Sequence, residues 1–425
     1  MVYTQRRLRS ISMAVDPRQV LAGFLTVTMF VMLGNMIKHD HFDSLHPTVH
    51  NTNKASEDGV VSSVTKGLVS GPWKEDGLTF KPCWEKPVLE DPDESQGYVT
   101  FSLTSGPEYH VSQIADAVVV ARYLRATLVI PDIRGSKPGD KSNFEDVYDV
   151  EKFIASLDGV VKVIKSQPSQ VSPRTVAVVK VPNRVTEEYI AENIEPLFSA
   201  KGNIRIATHF PSVNMKRNRE KTKTDSIACL AMFGTLEPQR EIRKVIDSMI
   251  DRLRTVSRKS NGQFVAIDLR VDILEKRGCH ENGGYGSKSC YSPHEIATFL
   301  RKIGFEKETT VYVTQTKWDS SLDVLKDFFP KTYTKDSIIP MENKDKFVNS
   351  ELEKVIDFYI CSESDVFVPA ISGLFYANVA GRRIGSGKTQ ILVPAANIPA
   401  SSASSEEFIS HFVSKKNHFV YSCFC

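Results

Sequence analysis

Residues 264–273 read Phe-Val-Ala-Ile-Asp-Leu-Arg-Val-Asp-Ile. Apolar and β-branched residues alternate through them, which predicts a strand over 264–271. In that strand Asp268, Arg270 and Asp272 share one face, while Ile267, Leu269, Val271 and Ile273 share the other. Buried charge is costly unless it is paired or meets a ligand. Two readings fit: a salt-bridged strand end at a solvent edge, or a charged strand end that grips a ligand. The surrounding pattern bears on the choice.

Working outward, strands and helices alternate. Strands are predicted at 98–103, 126–131, 160–165, 175–181, 203–208 and 228–234, and helices at 113–125, 187–198 and 241–257. Lys259-Ser260-Asn261-Gly262 ends this series, and 264–271 opens a second. It continues with a helix from Ser292-Pro293-His294-Glu295, a capping box with proline at the first helical position. Strands at 309–314, 365–369 and 389–394 follow, with helices at 320–329, 346–360 and 373–383 between them. Such alternation predicts an α/β fold, with parallel sheets flanked by helices in two domains, 96–258 and 259–425. The carboxyl ends of the strands, at the cleft between two such blocks, are where a ligand binds by default. Asp268, Arg270 and Asp272 run toward that cleft, and an arginine there can hold phosphate oxygens bidentately.

The chain has 425 residues, enough for two cores. Its net charge of +3 argues against a general nucleic-acid binder. The basic run Lys216–Lys223 reads as a solvated loop. Residues 20–37 are 18 residues without charge, preceded by Arg6, Arg7, Arg9 and Arg18. This predicts a single-pass anchor with residues 1–19 cytosolic and the body lumenal. A cleaved signal peptide is the competing reading. Met13 is a second possible start. Residues 38–95 are polar, lack periodicity and read as a stem. Seven cysteines suit an oxidising compartment, and their odd number leaves at least one without a partner in the chain. Cys279 and Cys290 bracket a glycine-rich loop; a disulfide between them would contribute about 3 kcal/mol. No CxxC pair suggests a metal site, and no N-x-S/T acceptor follows the anchor.

Three further stretches carry polar chemistry. In Ser105-Gly106-Pro107-Glu108-Tyr109-His110, a helix start offers backbone N–H groups, with Gly106 at the turn and Glu108 or His110 as a base. In Ser362-Glu363-Ser364-Asp365, short polar side chains either cap elements or bond a sugar hydroxyl. Gly381-Arg382-Arg383-Ile384-Gly385-Ser386-Gly387-Lys388-Thr389 fails the P-loop spacing, because Arg382 stands where glycine is required. Lys388 and Thr389 could still meet a diphosphate. No G-x-S-x-G or H-E-x-x-H occurs, so hydrolase and metalloprotease readings lack support. A lectin would expect clustered aromatic platforms, whereas Trp73, Trp84 and Trp318 are scattered.

Taken together, Asp116–Arg122, Ala126–Pro131, Asp268-Leu269-Arg270, Ser292–Ile296, Phe299–Phe305 and Ser364–Val368 resemble the plant O-fucosyltransferase-like family of glycosyltransferases, over about 95–395. Residues 16–24, 106–124 and 413–425 resemble its mannan-synthesis-related branch. The resemblance implies a Golgi type II membrane protein with two Rossmann-like domains in the GT-B arrangement. It implies metal-independent, inverting transfer from a GDP-sugar to a glycan or glycoprotein acceptor, with no cofactor. Arg270 matches the family's donor-binding arginine, and Ser364 and Asp365 match its second donor motif. Three motifs depart. The family's G-G-L-N-Q is Ser105-Gly106-Pro107-Glu108-Tyr109 here, its H-L-R is Asp268-Leu269-Arg270, and its R-K-T is Gly387-Lys388-Thr389. The catalytic candidates are Arg270, Asp268 and Glu108. The donor-binding candidates add Asp272, Ser364, Asp365, Lys388, Thr389, Gly106 and His110. Two functions follow: a transferase promoting mannan or glucomannan synthesis, or a non-catalytic helper of a mannan synthase.

Overall fold

The computed structural model describes residues 72–73, 81–84, 95–104, 106–135, 141–168, 176–210, 223–279, 290–348, 350–395, 408–410 and 419–424. They lie in a compact unit spanning Gly67–Cys425. The predicted tail (1–19) and anchor (20–37) lie outside the described residues, as does most of 38–95. Among the described residues no helix is long and apolar enough to cross a membrane.

The strand expected at 98–103 is shared between two sheets as β1 (Tyr98–Thr100) and β2 (Ser102–Thr104). Helix α1 (Pro107–Tyr123) follows, with Pro107 in its first turn. It is buried almost throughout, polar Glu108, His110, Ser112, Gln113 and Asp116 included. Next come β3 (Thr127–Val129), β4 (Asp132–Arg134), β5 (Lys141–Asn143), α2 (Val150–Leu157), β6 (Val163–Ile164) and β7 (Ala177–Pro182). The helix expected over 187–198 is two helices, α3 (Glu187–Asn193) and α4 (Glu195–Lys201). Pro196 lacks the N–H that a continuous helix would need and opens the second one instead. β8 (Asn203–His209) completes this half.

Of residues 228–234, expected as a strand, all but Gly234 lie in helix α5 (Lys223–Phe233), which packs on α1. A seven-residue apolar run cannot be told from a buried helix by periodicity, and this one contains no β-branched residue. Helix α6 (Arg240–Val256) starts where expected but packs on the second sheet, so a boundary at 258 parts it from its neighbours.

The second half runs β9 (Phe264–Asp268), α7 (Val271–Lys276), α8 (Pro293–Lys302), β10 (Thr310–Val313), α9 (Asp323–Phe328), β11 (Thr332–Thr334), α10 (Lys335–Ile338), α11 (Lys344–Phe347), α12 (Glu353–Glu363), β12 (Val366–Pro369) and α13 (Leu374–Gly385). The capping box at the start of α8 forms: the Ser292 side chain accepts from Glu295 N, and Glu295 accepts from Ser292 N. The strand expected at 389–394 is reduced to two isolated bridges, Ile391 to Phe367 and Pro394 to Ile409.

Two all-parallel sheets result, in the orders β6-β3-β1-β8-β7 and β11-β10-β9-β12. A third sheet, β2-β4-β5, is mixed. One apolar core runs through both halves, from Val99 to Phe424, and takes Phe264 and Ala266 from β9. Val265 and Ile267 point the other way into a second core under α8 and α9. Helix α13 lies against α1 and α5, and α12 lies against α1 and α6.

Part of the segment read as a stem is docked on this unit. Trp73 packs edge-on against Phe305 at 4.9 Å, and Trp84 against Phe424 at 5.5 Å. Disulfides join Cys229 to Cys423 and Cys279 to Cys290, and Cys83 is also disulfide-bonded. Cys361 is a buried free thiol.

Candidate active site

The strand of the opening stretch ends at Asp268, five residues in. Leu269 N donates to the Thr314 hydroxyl, and Arg270 becomes the N-cap of α7. The expected row of three charges on one face therefore does not form. Asp268 and Arg270 stay at the carboxyl edge of the sheet. Asp272 turns out in the first turn of α7, exposed, where it pairs with Lys276 at 3.4 Å.

Asp268 is 0% exposed and Arg270 is 20% exposed at its side chain. Arg270 Nη2 lies 3.3 Å from Asp268 Oδ1, which also accepts from the Thr314 hydroxyl at 3.3 Å. The guanidinium stacks over the Phe375 ring of α13, 5.2 Å from its centroid. Two polar atoms remain without a hydrogen-bond partner among the described residues: Asp268 Oδ2 and Arg270 Nε. Burial pushes the Asp268 carboxyl above the usual carboxylate range, against the pull of Arg270, Thr314 and Arg277.

Facing this pair is the start of α1. Gly106 caps the helix at φ 127, and a Cβ there would stand 2.8 Å from Glu108 Oε2. The positive φ is what requires glycine at this point, since the close atoms belong to the flexible Glu108 and Lys354 side chains. Glu108 is buried, and its Oε2 has no partner among the described residues. Burial raises its pKa, while Arg270 and Lys354 draw it down and Asp268 adds to the rise. Asn378 of α13 donates to the Glu108 carbonyl at 2.7 Å, which fixes this turn against the second half. His110 lies one step deeper. Its Nδ1 is 2.8 Å from the Tyr148 hydroxyl, and burial followed by Lys354 lowers its pKa to about 3. It is a buried core histidine, and so low a pKa makes it a weak base.

Helix α13 supplies the remaining wall. Its first turn follows β12 through Ser372 and Gly373, and Arg277 Nη1 donates to the Ser372 carbonyl at 2.8 Å. Twelve residues of helix thus aim their N-terminal N–H groups into the carboxyl edge beside Arg270 and Arg277. The sequence reading started a helix at 373 but gave this turn no part in the site, although Gly373, four positions past the end of β12, was a signal. Nothing in the pattern marked Lys354 or Asn378.

Four donor candidates are at the other end of the sheet. β12 pairs Val366 with Val265 and Pro369 with Asp268, so Asp365 sits about 13 Å from Asp268 at strand spacing. Asp365 Oδ2 accepts from Phe264 N. The Ser364 hydroxyl lies 3.0 Å from the Cys361 and Val366 carbonyls. Arg383, fully buried, donates to the carbonyls of Cys361, Ser364, Asp365 and Gln390. Lys388 Nζ donates to the Glu363 carbonyl at 2.8 Å, and Thr389 lies in the same turn. Ser364, Asp365, Lys388 and Thr389 therefore tie the amino edge of the sheet together and do not meet the carboxyl-edge cluster. Among the described residues no group of three or more His, Cys, Asp or Glu is placed to hold a metal ion.

A family model described as GDP-fucose protein O-fucosyltransferase matches residues 98–384. Protein MANNAN SYNTHESIS-RELATED 1 of Arabidopsis thaliana is 58% identical over 423 residues, covering 97% of this chain and all of that protein. Protein MANNAN SYNTHESIS-RELATED of Trigonella foenum-graecum is 49% identical over 416 residues, with the same coverage. Among solved structures, POFUT1 in complex with GDP-fucose aligns over 69% of this chain and 95% of its own, with 15% identity and a TM-score of 0.41.

Proposed function

The chain belongs to the GDP-fucose protein O-fucosyltransferase family, and from that membership we propose a glycosyltransferase that uses a GDP-sugar and promotes mannan or glucomannan synthesis. The names of the relatives at 58% and 49% identity support the mannan link. The finer reading is a type II Golgi protein anchored by residues 20–37, with its body lumenal. Its two parallel sheets then act as the lobes of a GT-B enzyme, with the acceptor glycan on the side of α1.

One observation carries the transferase reading. A mostly buried guanidinium sits at the carboxyl edge of β9, beside a helix N-terminus and opposite a buried carboxylate. In the reaction, an acceptor hydroxyl oxygen attacks the anomeric carbon of the donor and its proton passes to Glu108. The bond from that carbon to the diphosphate oxygen breaks, and its electron pair stays on the diphosphate. Arg270 and the first turn of α13 meet the charge that develops there. Burial raises the Glu108 pKa, which makes its carboxylate a stronger base than that of a surface glutamate. Attack from the face opposite the leaving group inverts the anomeric centre. None of these steps calls on a metal or a cofactor.

The second reading is a non-catalytic helper of a mannan synthase. Asp268 already occupies Arg270 at 3.3 Å, which favours it. The test is turnover of GDP-fucose and GDP-mannose by the purified full-length chain in detergent. Arg270→Ala is expected to cut the rate by about 10²–10³-fold, as loss of one oxyanion donor does. If neither donor binds or turns over, and Arg270→Ala still restores mannan in a deficient plant, the helper reading stands instead.

A further inference from the structure

We propose that a nucleotide-sugar diphosphate binds Arg270 together with one proton, taken up by Asp268. The inference rests on the donor site proposed above and deepens it. In the free protein Asp268 is wholly buried, and its ion-pair partner is Arg270, at 3.3 Å. A diphosphate arriving at the guanidinium brings two further negative charges. Asp268 must then share its counter-ion while having no access to water. The free protein already prepares a place for the proton. Asp268 Oδ2 has no hydrogen-bond partner among the described residues, so a proton can enter there without breaking an existing bond. Once protonated, Oδ2–H is a donor, and Oδ1 keeps the Thr314 hydroxyl. The departing charge on Asp268 frees the guanidinium for the phosphates.

The charges around Asp268 come from every wall of the cluster. Arg270 and, further off, Arg277 favour its ionised form. Glu108 on α1, Asp357 on α12 and, from the surface, Asp272 on α7 lie within electrostatic reach of the same guanidinium. Lys354 on α12 balances Glu108, and the buried Cys361 thiol lies within electrostatic reach of Asp268. Counting full charges, with each ion-pair partner included, Glu108, Asp268, Asp272, Glu353 and Asp357 offset Arg270, Lys276, Arg277, Lys335 and Lys354. The site therefore has no surplus positive charge for a diphosphate unless a carboxylate gives up its own. Burial has already raised the Asp268 pKa, so the uptake starts from a group inclined toward the neutral form. Linkage sets the sign: affinity rises as pH falls between the pKa of the complex and that of the free protein.

The test is isothermal titration of the full-length chain with GDP-fucose and GDP-mannose from pH 8 to pH 5.5. In both donors each phosphate is esterified and holds its single charge across that range, so the ligand contributes no proton. The same titrations in buffers of different ionisation enthalpy count protons directly. Wild type is expected to take up close to one proton and to gain about tenfold in affinity per pH unit over part of the range, the limit for one proton. Asp268→Asn, which imitates the neutral acid, is expected to bind more tightly than wild type at pH 8, with a flat profile and no proton uptake. Glu108→Gln removes a neighbouring negative charge but leaves Asp268, so it keeps the slope and shifts it to lower pH. Donor binding that is equally tight at pH 5.5 and pH 8 overturns the proposal, as does an Asp268→Asn protein that still takes up a proton. Failure of either donor to bind at any pH, in wild type and in both variants, overturns the donor site itself, and this proposal with it.

Discussion

The ammonium of Lys335 is 1% exposed at its side chain, and it is held by carboxylates from one helix. Its Nζ lies 2.7 Å from Asp357 Oδ2 and 3.8 Å from Glu353 Oε2. The Tyr312 hydroxyl donates to Asp357 Oδ1 at 2.6 Å. Burial raises Asp357 to about 6, with Lys335 pulling it down. The two ends of this pair are not equivalent. Asp357→Asn leaves a buried ammonium that keeps only the longer Glu353 contact, and should cost about 3–5 kcal/mol. Lys335→Met leaves a carboxyl that can escape by taking a proton. With its cation gone, the folded-state pKa of Asp357 rises further above the unfolded value. The neutral form is then the tolerated one, so stability is retained at low pH and lost as pH rises through the folded pKa. Denaturant unfolding should show the Lys335→Met deficit shrinking between pH 8 and pH 5. A deficit that instead grows on acidification would mean that Asp357 is not the group left stranded.

Helix α13 joins the two ends of the second half. Its first two turns carry Phe375 and Asn378 to the site, and its last turns meet α5 and the C-terminal residues. The second contact depends on glycine. A Cβ on Gly381 would overlap the Phe233 ring, and one on Gly385 would stand 2.8 Å from Phe424 Cζ. Alanine gains about 1 kcal/mol of helix propensity over glycine. Overpacking against the Phe233 ring and the Val420 side chain costs about 1–3 kcal/mol, so Gly381→Ala should be net destabilising in thermal melts. A stabilised Gly381→Ala protein would mean that the helix–ring seam is loose. The same helix shows what sequence could and could not reveal. Its existence and its glycines were legible, because β12 and α13 follow a clear apolar pattern. The placement of Ser364, Asp365, Lys388 and Thr389 was not. Which end of a parallel strand a residue occupies depends on register with β9, and register is a long-range property that local spacing does not encode. Asp268 and Arg270 were legible as a pair because charge in an apolar strand needs a partner. The turn out of β9 at Leu269 was not, since Thr314, the residue that caps it, lies 45 positions away. The failed strand at 228–234 is a local error, where Ala, Leu and Met without β-branching already favoured a helix.

At the scale of the molecule, the C-terminal residues act as a clasp. Cys229 on α5 is bonded to Cys423 across 194 positions, and Cys83 N donates to the Cys423 carbonyl at 2.9 Å. The clasp closes over α13, whose glycine seam receives Val420 and Phe424. The second bond, Cys279 to Cys290, spans only 11 positions. Loop-closure entropy grows with the length of chain enclosed, so the two bonds should differ in a definite direction. The long one is worth at most about 5 kcal/mol and the short one about 3 kcal/mol. At roughly 2 °C per kcal/mol for a unit of this size, the double variant Cys229→Ala/Cys423→Ala should lose about 10 °C in Tm. The variant Cys279→Ala/Cys290→Ala should lose about 6 °C on the same scale. Scanning both variants beside wild type under non-reducing conditions checks the order. A larger loss from the short loop would show that strain or packing, and not chain entropy, sets the value of these bonds. Equal Tm values for wild type and the Cys229 variant would mean that the apolar seam alone holds the C-terminal residues on α13.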